Sequence, residues 1–294
     1  MPSRSLTRAA PPQAYFVVSA VFHYLGPSFA VLLFARLDVL GVAWLRIASA
    51  ALVFAAWRRP WTFFLSLPRG DRWVLIALGL VLGVMNSSFY LAIARLPLAT
   101  VGAIEFLGPI GLAVLGLRTR RNVLALLLAI MGVYLLTTVR LEGQPLGFAF
   151  AFVNCVLFAL YIVLAHRIAQ RGPGAGIDGL GAAMLIALIV VMPVGIVAAA
   201  PAFVSPLLLG AGIGVGVCSS VIPYVTDQLA MARLPRATYA LLLSLLPATA
   251  AVIGLVVLHQ VPTVVEVGGI ALVVVGVGVH REPRDQAARR EAVA

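Results

Sequence analysis

Residues 94–117 read ARLPLATVGAIEFLGPIGLAVLGL, with one carboxylate, Glu105, flanked on each side by about ten mostly apolar residues. Residues 232–255 read ARLPRATYALLLSLLPATAAVIGL, which is the same phrase 138 positions later without the acid. The arginine, the threonine and both prolines align without a gap. Chance similarity between apolar helices is the alternative, and this gap-free alignment disfavours it. We therefore interpret the two stretches as copies of one internal repeat.

The composition predicts an all-α integral membrane protein. The chain is 62% hydrophobic and 11% charged, whereas soluble domains are about a quarter charged. Apolar runs of roughly 18–24 residues recur along it, and about 20 such residues span a hydrocarbon core of roughly 30 Å. We predict ten transmembrane helices at about 14–34, 39–57, 73–94, 97–117, 122–139, 146–165, 179–200, 207–232, 236–258 and 264–280.

The formal net charge of +11 comes from arginine without any lysine. With a cytoplasmic N-terminus, 17 arginines fall in inside segments and three in outside loops. This asymmetry places both termini in the cytoplasm. The aromatic residues lie within the apolar runs rather than among the arginines, so the charge does not indicate nucleic-acid binding.

The second copy lies five spans after the first, in span nine instead of span four, and this odd offset makes the copies face opposite ways. The sequence thus predicts two inverted five-helix repeats, residues 1–140 and 145–281, followed by a cytoplasmic tail, 282–294. In transporters built this way, the substrate binds at the repeat interface near the middle of the bilayer.

Ionisable side chains within the spans are functional candidates, because charge is costly at membrane depth. Glu105 could accept a substrate ammonium, carry a proton, or form a structural ion pair with Arg46. Asp227 could line a cavity or cap a helix at the interface. His23 could relay protons or be a packed donor.

Neutral polar residues complete the candidate site. Asn86 and Tyr90 are four residues apart and share a helix face. Spans five, seven and ten carry few polar groups, which favours a lipid-facing shell around a polar centre, although polar residues can also simply join helices. The candidate substrate-binding residues are His23, Tyr24, Arg46, Asn86, Tyr90, Glu105, Tyr161, Tyr224 and Asp227. No metal or cofactor is expected, and the motifs of common membrane hydrolases do not occur.

Four segments resemble the drug/metabolite transporter superfamily and are most similar to its ten-helix bacterial amino-acid exporters. They are VAWLRIASAAL (42–52), GVMNSSFYLAIARLPLA (83–99), AIEFLGPIGLAVL (103–115) and IPYVTDQLAMARLPRATYALLLSLLPATAAV (222–252). The resemblance implies a secondary transporter of the bacterial inner membrane that works by alternating access through a central polar cavity. Its substrates would be threonine, homoserine, aromatic or other neutral amino acids. Purines, drugs or other small metabolites are the alternative.

Two departures from the family pattern bear on this expectation. Leu246 stands where threonine/homoserine exporters carry a glutamate, and His259-Gln260 stands where many members have Gly-Glu. The second half of the site is therefore expected to be more apolar. The proton remains a candidate coupling ion, but coupling would not run through those missing acids.

Overall fold

A computed structural model describes residues 11–116, 119–138, 144–172, 174–231, 242 and 245–279. Helices joined by short connections make up this part of the chain, and none of its residues lies in a β-strand, as the composition predicted. The helices are α1 Pro12–Leu33, α2 Val39–Arg58, α3 Pro60–Ser66, α4 Arg69–Ile93, α5 Leu98–Glu105, α6 Leu107–Gly116, α7 Arg120–Thr138, α8 Pro145–Ala169, α9 Ala175–Ala198, α10 Ala200–Phe203, α11 Pro206–Gly216, α12 Ile222–Met231, α13 Leu246–Leu258 and α14 Val264–Val279.

Six helical stretches are long and apolar enough to cross a membrane: α1, α2, α4, α8, α9 and the run from α11 through α12. The stretch 98–112, α13 and α14 are shorter apolar helices. The first half of the predicted ninth span falls almost entirely outside the described residues. Ten membrane-spanning helices therefore stay a prediction.

Two predicted spans are interrupted rather than continuous. The fourth breaks at Phe106 into α5 and α6. Pro109 has no N–H to donate to the carbonyl of Glu105 four residues earlier, so the helical ladder is interrupted there. The eighth contains a π-helical turn, Val217–Val221, between α11 and α12. The short helices α3 and α10 were not predicted at all.

The helices pack in pairs that are distant in sequence. α7 lies against α14, α2 against α9, α4 against α8 and α9, and α1 against the α11–α12 run and α13. Glycine allows several of these approaches: a Cβ at Gly132 would lie 2.5 Å from the carbonyl oxygen of Gly269, and one at Gly79 would lie 2.5 Å from Ile186 Cβ. The side chain of any other residue would push these helices apart.

The expected division between polar central helices and an apolar shell is too coarse. α9, assigned to the shell, packs against both α2 and α4. α8, assigned to the polar centre, exposes large apolar side chains such as Val156 and Val163. A helix presents several faces, so α8 buries Asn154 on one face while Val156 and Val163 are exposed on another. Counting polar residues for each helix cannot separate these faces.

Candidate functional site

Arg46 lies in the middle of α2 and is only 6% exposed. Its Nε donates to Ser220 Oγ at 3.0 Å, and an Nη donates to the carbonyl oxygen of Ser219 at 3.3 Å. The guanidinium also lies over the ring of Tyr90, with 5.2 Å from Cζ to the ring centroid. The charge is thus held by neutral dipoles and an aromatic face.

The π-helical turn presents Ser219 and Ser220 to Arg46. Such turns are rare and recur at functional sites, because the inserted residue changes the direction of nearby groups. Glycines bring the neighbouring helices close to this turn. A Cβ at Gly26 of α1 would lie 2.6 Å from the Ser219 backbone nitrogen, and one at Gly216 would lie 2.7 Å from the Arg46 carbonyl oxygen.

Glu105 ends α5 at the helix break and is also 6% exposed. Asn154 of α8 donates through Nδ2 to Glu105 Oε1 at 3.2 Å, and both side chains are buried. Tyr24 of α1 completes this group, because its hydroxyl interacts electrostatically with Glu105. A Cβ at Gly102 would lie 3.2 Å from that hydroxyl, so a bare helix face adjoins it.

Arg46 and Glu105 interact electrostatically, but the described residues contain no ion pair between them. The structural ion pair considered from the sequence is therefore wrong for this conformation. Each charged group has its own neutral partners: serines of the π-helical turn for Arg46, and Asn154 for Glu105.

Four buried polar atoms around these two charges have no hydrogen-bond partner in the part of the chain that the structure describes. They are Tyr24 Oη, Tyr90 Oη, Asn154 Oδ1 and Ser219 Oγ. The Tyr90 hydroxyl lies within electrostatic range of Arg46 and Ser219 but outside hydrogen-bond geometry with either. A buried unsatisfied polar group costs about 1–3 kcal/mol, so such groups are rare away from functional sites.

A second polar group lies on α8 and α12, further along both helices. Tyr161, Tyr224 and Asp227 interact electrostatically and are all half-buried. Tyr224 also interacts with Arg46 and Glu105, and so links the two groups. His23 is half-buried, interacts with Arg46, and packs edge-on to Tyr24 with ring centroids 5.1 Å apart.

The structure therefore brings together eight of the nine residues predicted from the sequence. Asn86 is buried, but its described hydrogen bond joins it to none of the other eight: its Nδ2 donates to the Leu82 carbonyl of its own helix at 2.8 Å. Asn154, Ser219 and Ser220 were missed as site residues. The available signals were an amide within an apolar helix and two adjacent serines shortly before Pro223-Tyr224.

Two further observations concern metal ligands and cavities. Among the described residues, no group of three or more His, Cys, Asp or Glu side chains could hold a metal ion. A small cavity of about 20 Å³, enough for one water molecule, lies elsewhere in the bundle. Its walls include Pro97, Gln260 and Glu266.

Comparison with known proteins identifies the family. Residues 145–280 match the EamA-like transporter family. The threonine/homoserine exporter RhtA of Salmonella typhimurium strain SL1344 is 33% identical over 271 residues, which cover 88% of this chain and 89% of the relative. The exporter of the same name from Escherichia coli strain K12 is 31% identical over 245 residues, covering 82% and 81%. The chain belongs to the EamA-like transporter family.

This EamA-like protein is a multi-pass membrane transporter and not an enzyme, and the resemblance drawn from its sequence is confirmed. A solved crystal structure aligns with 95% of this chain and 98% of its own, with a TM-score of 0.56 and 19% identity. At that identity the likeness shows a shared fold alone.

Proposed function

We propose that this protein exports amino acids from the bacterial cell across the inner membrane. The observation that carries the proposal is the placement of two opposite buried charges, Arg46 and Glu105, which are not paired with each other. A zwitterion presents a carboxylate and an ammonium on one carbon and would satisfy both. The two relatives named as threonine/homoserine exporters support the same substrate class.

Arg46 would bind the substrate carboxylate. Its guanidinium is planar and has donors beyond the two already used, which suits a carboxylate. The Ser219 and Tyr90 hydroxyls, both buried and unsatisfied among the described residues, would donate to the same group.

Glu105 would bind the substrate ammonium. Asn154 fixes one carboxylate oxygen and keeps its own Oδ1 available as an acceptor, and Tyr24 offers a further hydroxyl. An ammonium carries three donors, which match these three acceptors. Glu105 is also the candidate group for proton coupling.

The remaining predicted residues would line the substrate path. His23 adjoins Arg46 from α1. Tyr161, Tyr224 and Asp227 continue the polar surface from the two charges along α8 and α12. With both termini in the cytoplasm, as the arginine asymmetry predicts, that direction leads from the charges toward the cytoplasmic side.

Alternating access would follow from two inverted five-helix repeats, and the helix packing supports this arrangement. Helices equivalent under the 138-residue offset pack against each other: α2 with α9, and α7 with α14. α5 and α13, which belong to the two equivalent predicted spans, also pack together. The packing of α4 on α8 likewise has its counterpart in that of α12 on α1.

The aligned prolines give independent support for the repeat. Pro109 lies in the first turn of α6, just after the break at Phe106, and Pro247 lies in the first turn of α13. The matching Arg233-Leu234-Pro235 lies outside the described residues. The repeat boundaries 1–140 and 145–281 and the tail 282–294 remain part of this proposal.

Counterflow in proteoliposomes tests the function. Vesicles preloaded with unlabelled threonine or homoserine should accumulate labelled threonine without an imposed pH gradient. Vesicles preloaded with a nucleobase should not accumulate it and serve as the matched control. Exchange of a labelled nucleobase, with no exchange of any amino acid, would contradict the proposed substrate class while leaving the transporter family intact.

A further inference from the structure

The stretch from the last turn of α2 to the start of α4 contains three of the four tryptophans of the chain. We refer to residues 57–73 as the tryptophan segment. Trp57, Trp61 and Trp73 are 53%, 48% and 71% exposed, whereas Trp44 is buried within α2. Indole rings combine a large apolar surface with one N–H donor, and they concentrate where a bilayer meets water.

The short helix α3 is fixed in this segment by its contacts with α9. A Cβ at Gly181 would lie 3.3 Å from Pro60 Cβ, and one at Gly179 would lie 3.6 Å from Phe63 Cε1. Pro60 and Phe63 therefore face the bundle. Trp61 and Leu65 face away from it and remain exposed. The outward face of α3 is thus aromatic and apolar at the end of two membrane-spanning helices.

The exposed charge of the tryptophan segment is positive. Its one acid, Asp71, is buried and accepts from Arg171 at 2.6 Å. Arg58 Nε forms an ion pair with Asp178 Oδ1 at 2.7 Å, and Arg72 Nε donates to the Leu67 carbonyl oxygen at 2.8 Å.

Arg59 and Arg69 differ from these two arginines. Both are exposed, and neither forms an ion pair with a residue that the structure describes. They leave two guanidinium groups beside the outward tryptophans.

We propose that the tryptophan segment is a binding site for the headgroups of anionic phospholipids. The indoles would lie at the level of the headgroups and the upper acyl chains. Arg59 and Arg69 would bind the lipid phosphates, since a guanidinium matches phosphate oxygens in a bidentate geometry. Net negative lipids are favoured over zwitterionic ones because each arginine near an anionic surface strengthens association about five-fold.

A second arginine-rich segment provides a control for the role of charge alone. Residues 117–121, which lead into the first turn of α7, contain Arg118, Arg120 and Arg121 but no tryptophan. In the proposed topology this segment lies on the same side of the membrane. Replacing two of its arginines therefore provides a control with the same change in net charge.

Quenching by brominated lipids tests the proposal, because it measures which lipid lies against an indole. The W44F variant would retain only the three tryptophans of the segment. In mixed bilayers, phosphatidylglycerol brominated near the headgroup should quench them several-fold more effectively than phosphatidylcholine brominated at the same positions. The wild-type chain, in which Trp44 adds a constant background, serves if W44F does not fold.

Two double variants then identify the contact. Arg59→Gln with Arg69→Gln should abolish the preference for phosphatidylglycerol, while Arg118→Gln with Arg120→Gln should retain it. Equal quenching by both lipids in the unaltered segment would overturn the proposal. So would a preference that survives the first double variant, or one lost equally in the second. None of these results depends on which substrate is transported.

Discussion

At the scale of single residues, the site keeps two charges buried and apart. An ion pair between Arg46 and Glu105 would have satisfied both groups within the protein. Instead Arg46 bonds to Ser220 and to the Ser219 carbonyl, and Glu105 accepts from Asn154. Neutral partners hold each side chain in position without cancelling its charge. Both charges therefore remain able to bind a substrate of mixed charge.

Glu105→Gln should slow amino-acid exchange about ten- to a hundred-fold, since a hydrogen bond to a charged group is worth about 1.5–3 kcal/mol. The glutamine can still accept from Asn154 through its amide oxygen, so the melting temperature should change little. Counterflow and thermal unfolding of the purified protein would measure the two effects.

Glu266→Gln is the matched control for this substitution. Glu266 is also buried, but its Oε2 accepts from the backbone N–H of Thr263 at 2.7 Å at the start of α14. Its replacement should lower the melting temperature and leave exchange per folded molecule intact. Normal exchange by Glu105→Gln would reduce Glu105 to a structural role.

At the scale of the elements, two interrupted helices surround the site. α5 ends at Glu105, and the π-helical turn between α11 and α12 presents Ser219 and Ser220. Interrupted helices at membrane depth are tolerated where neighbouring groups satisfy the freed backbone, and they recur at transporter binding sites. The close approach of α2 to α11 sets the position of the turn relative to Arg46.

Gly216→Ala should destabilise the protein by about 1–3 kcal/mol, because a Cβ there collides with Ser49 Oγ and crowds the Arg46 carbonyl oxygen. Gly214→Ala is the control on the same helix, since a Cβ there has no atom of the described chain within 4 Å. It should be neutral or slightly stabilising. Thermal unfolding would compare the two variants. Equal melting temperatures would contradict the tight packing of α2 on the turn.

Sequence patterns predicted some of these elements and not others. The break in the fourth span has a sequence signal, since Gly108-Pro109 follows three residues after Glu105 and proline interrupts the helical hydrogen bonds. The π-helical turn has no such signal: Val217–Val221 contains neither proline nor glycine, and its geometry depends on tertiary packing. Hydrophobic runs locate spans, but they do not show that the face of α8 containing Asn154 is the buried one.

For the candidate site too, the sequence does not show which way a polar side chain faces. His23, Arg46, Glu105 and Asp227 stood out because a charge within an apolar span is unusual. Asn86 looked equally convincing beside Tyr90, yet its amide bonds within its own helix. A neutral polar side chain can form a hydrogen bond with its own helix or with another one. Packing decides between the two, and the sequence of a single chain does not show that packing.

At the scale of the whole molecule, the arginine asymmetry and the proposed 138-residue repeat together predict one topology. The two copies of Arg-Leu-Pro should lie on opposite sides of the membrane, with Arg95 outside and Arg233 inside. Single cysteines at these positions, in a background lacking Cys155 and Cys218, would report their sides to a membrane-impermeant thiol reagent.

In intact cells, the cysteine at position 95 should react and the one at position 233 should react only after permeabilisation. A cysteine at exposed Arg36, on the predicted outer side, is the positive control. Labelling of positions 95 and 233 from the same side would exclude inverted repeats.

Competition by modified substrates tests the central claim most directly, namely that opposite charges on separate helices hold one zwitterion. Counterflow of a labelled amino acid would be competed by the same amino acid, by its N-acetyl derivative and by its methyl ester. Only the unmodified amino acid should compete, and Glu105→Gln should weaken discrimination against the N-acetyl form alone. If both derivatives compete as well as the amino acid itself, the site does not recognise a zwitterion, and the assignment of Arg46 and Glu105 is wrong.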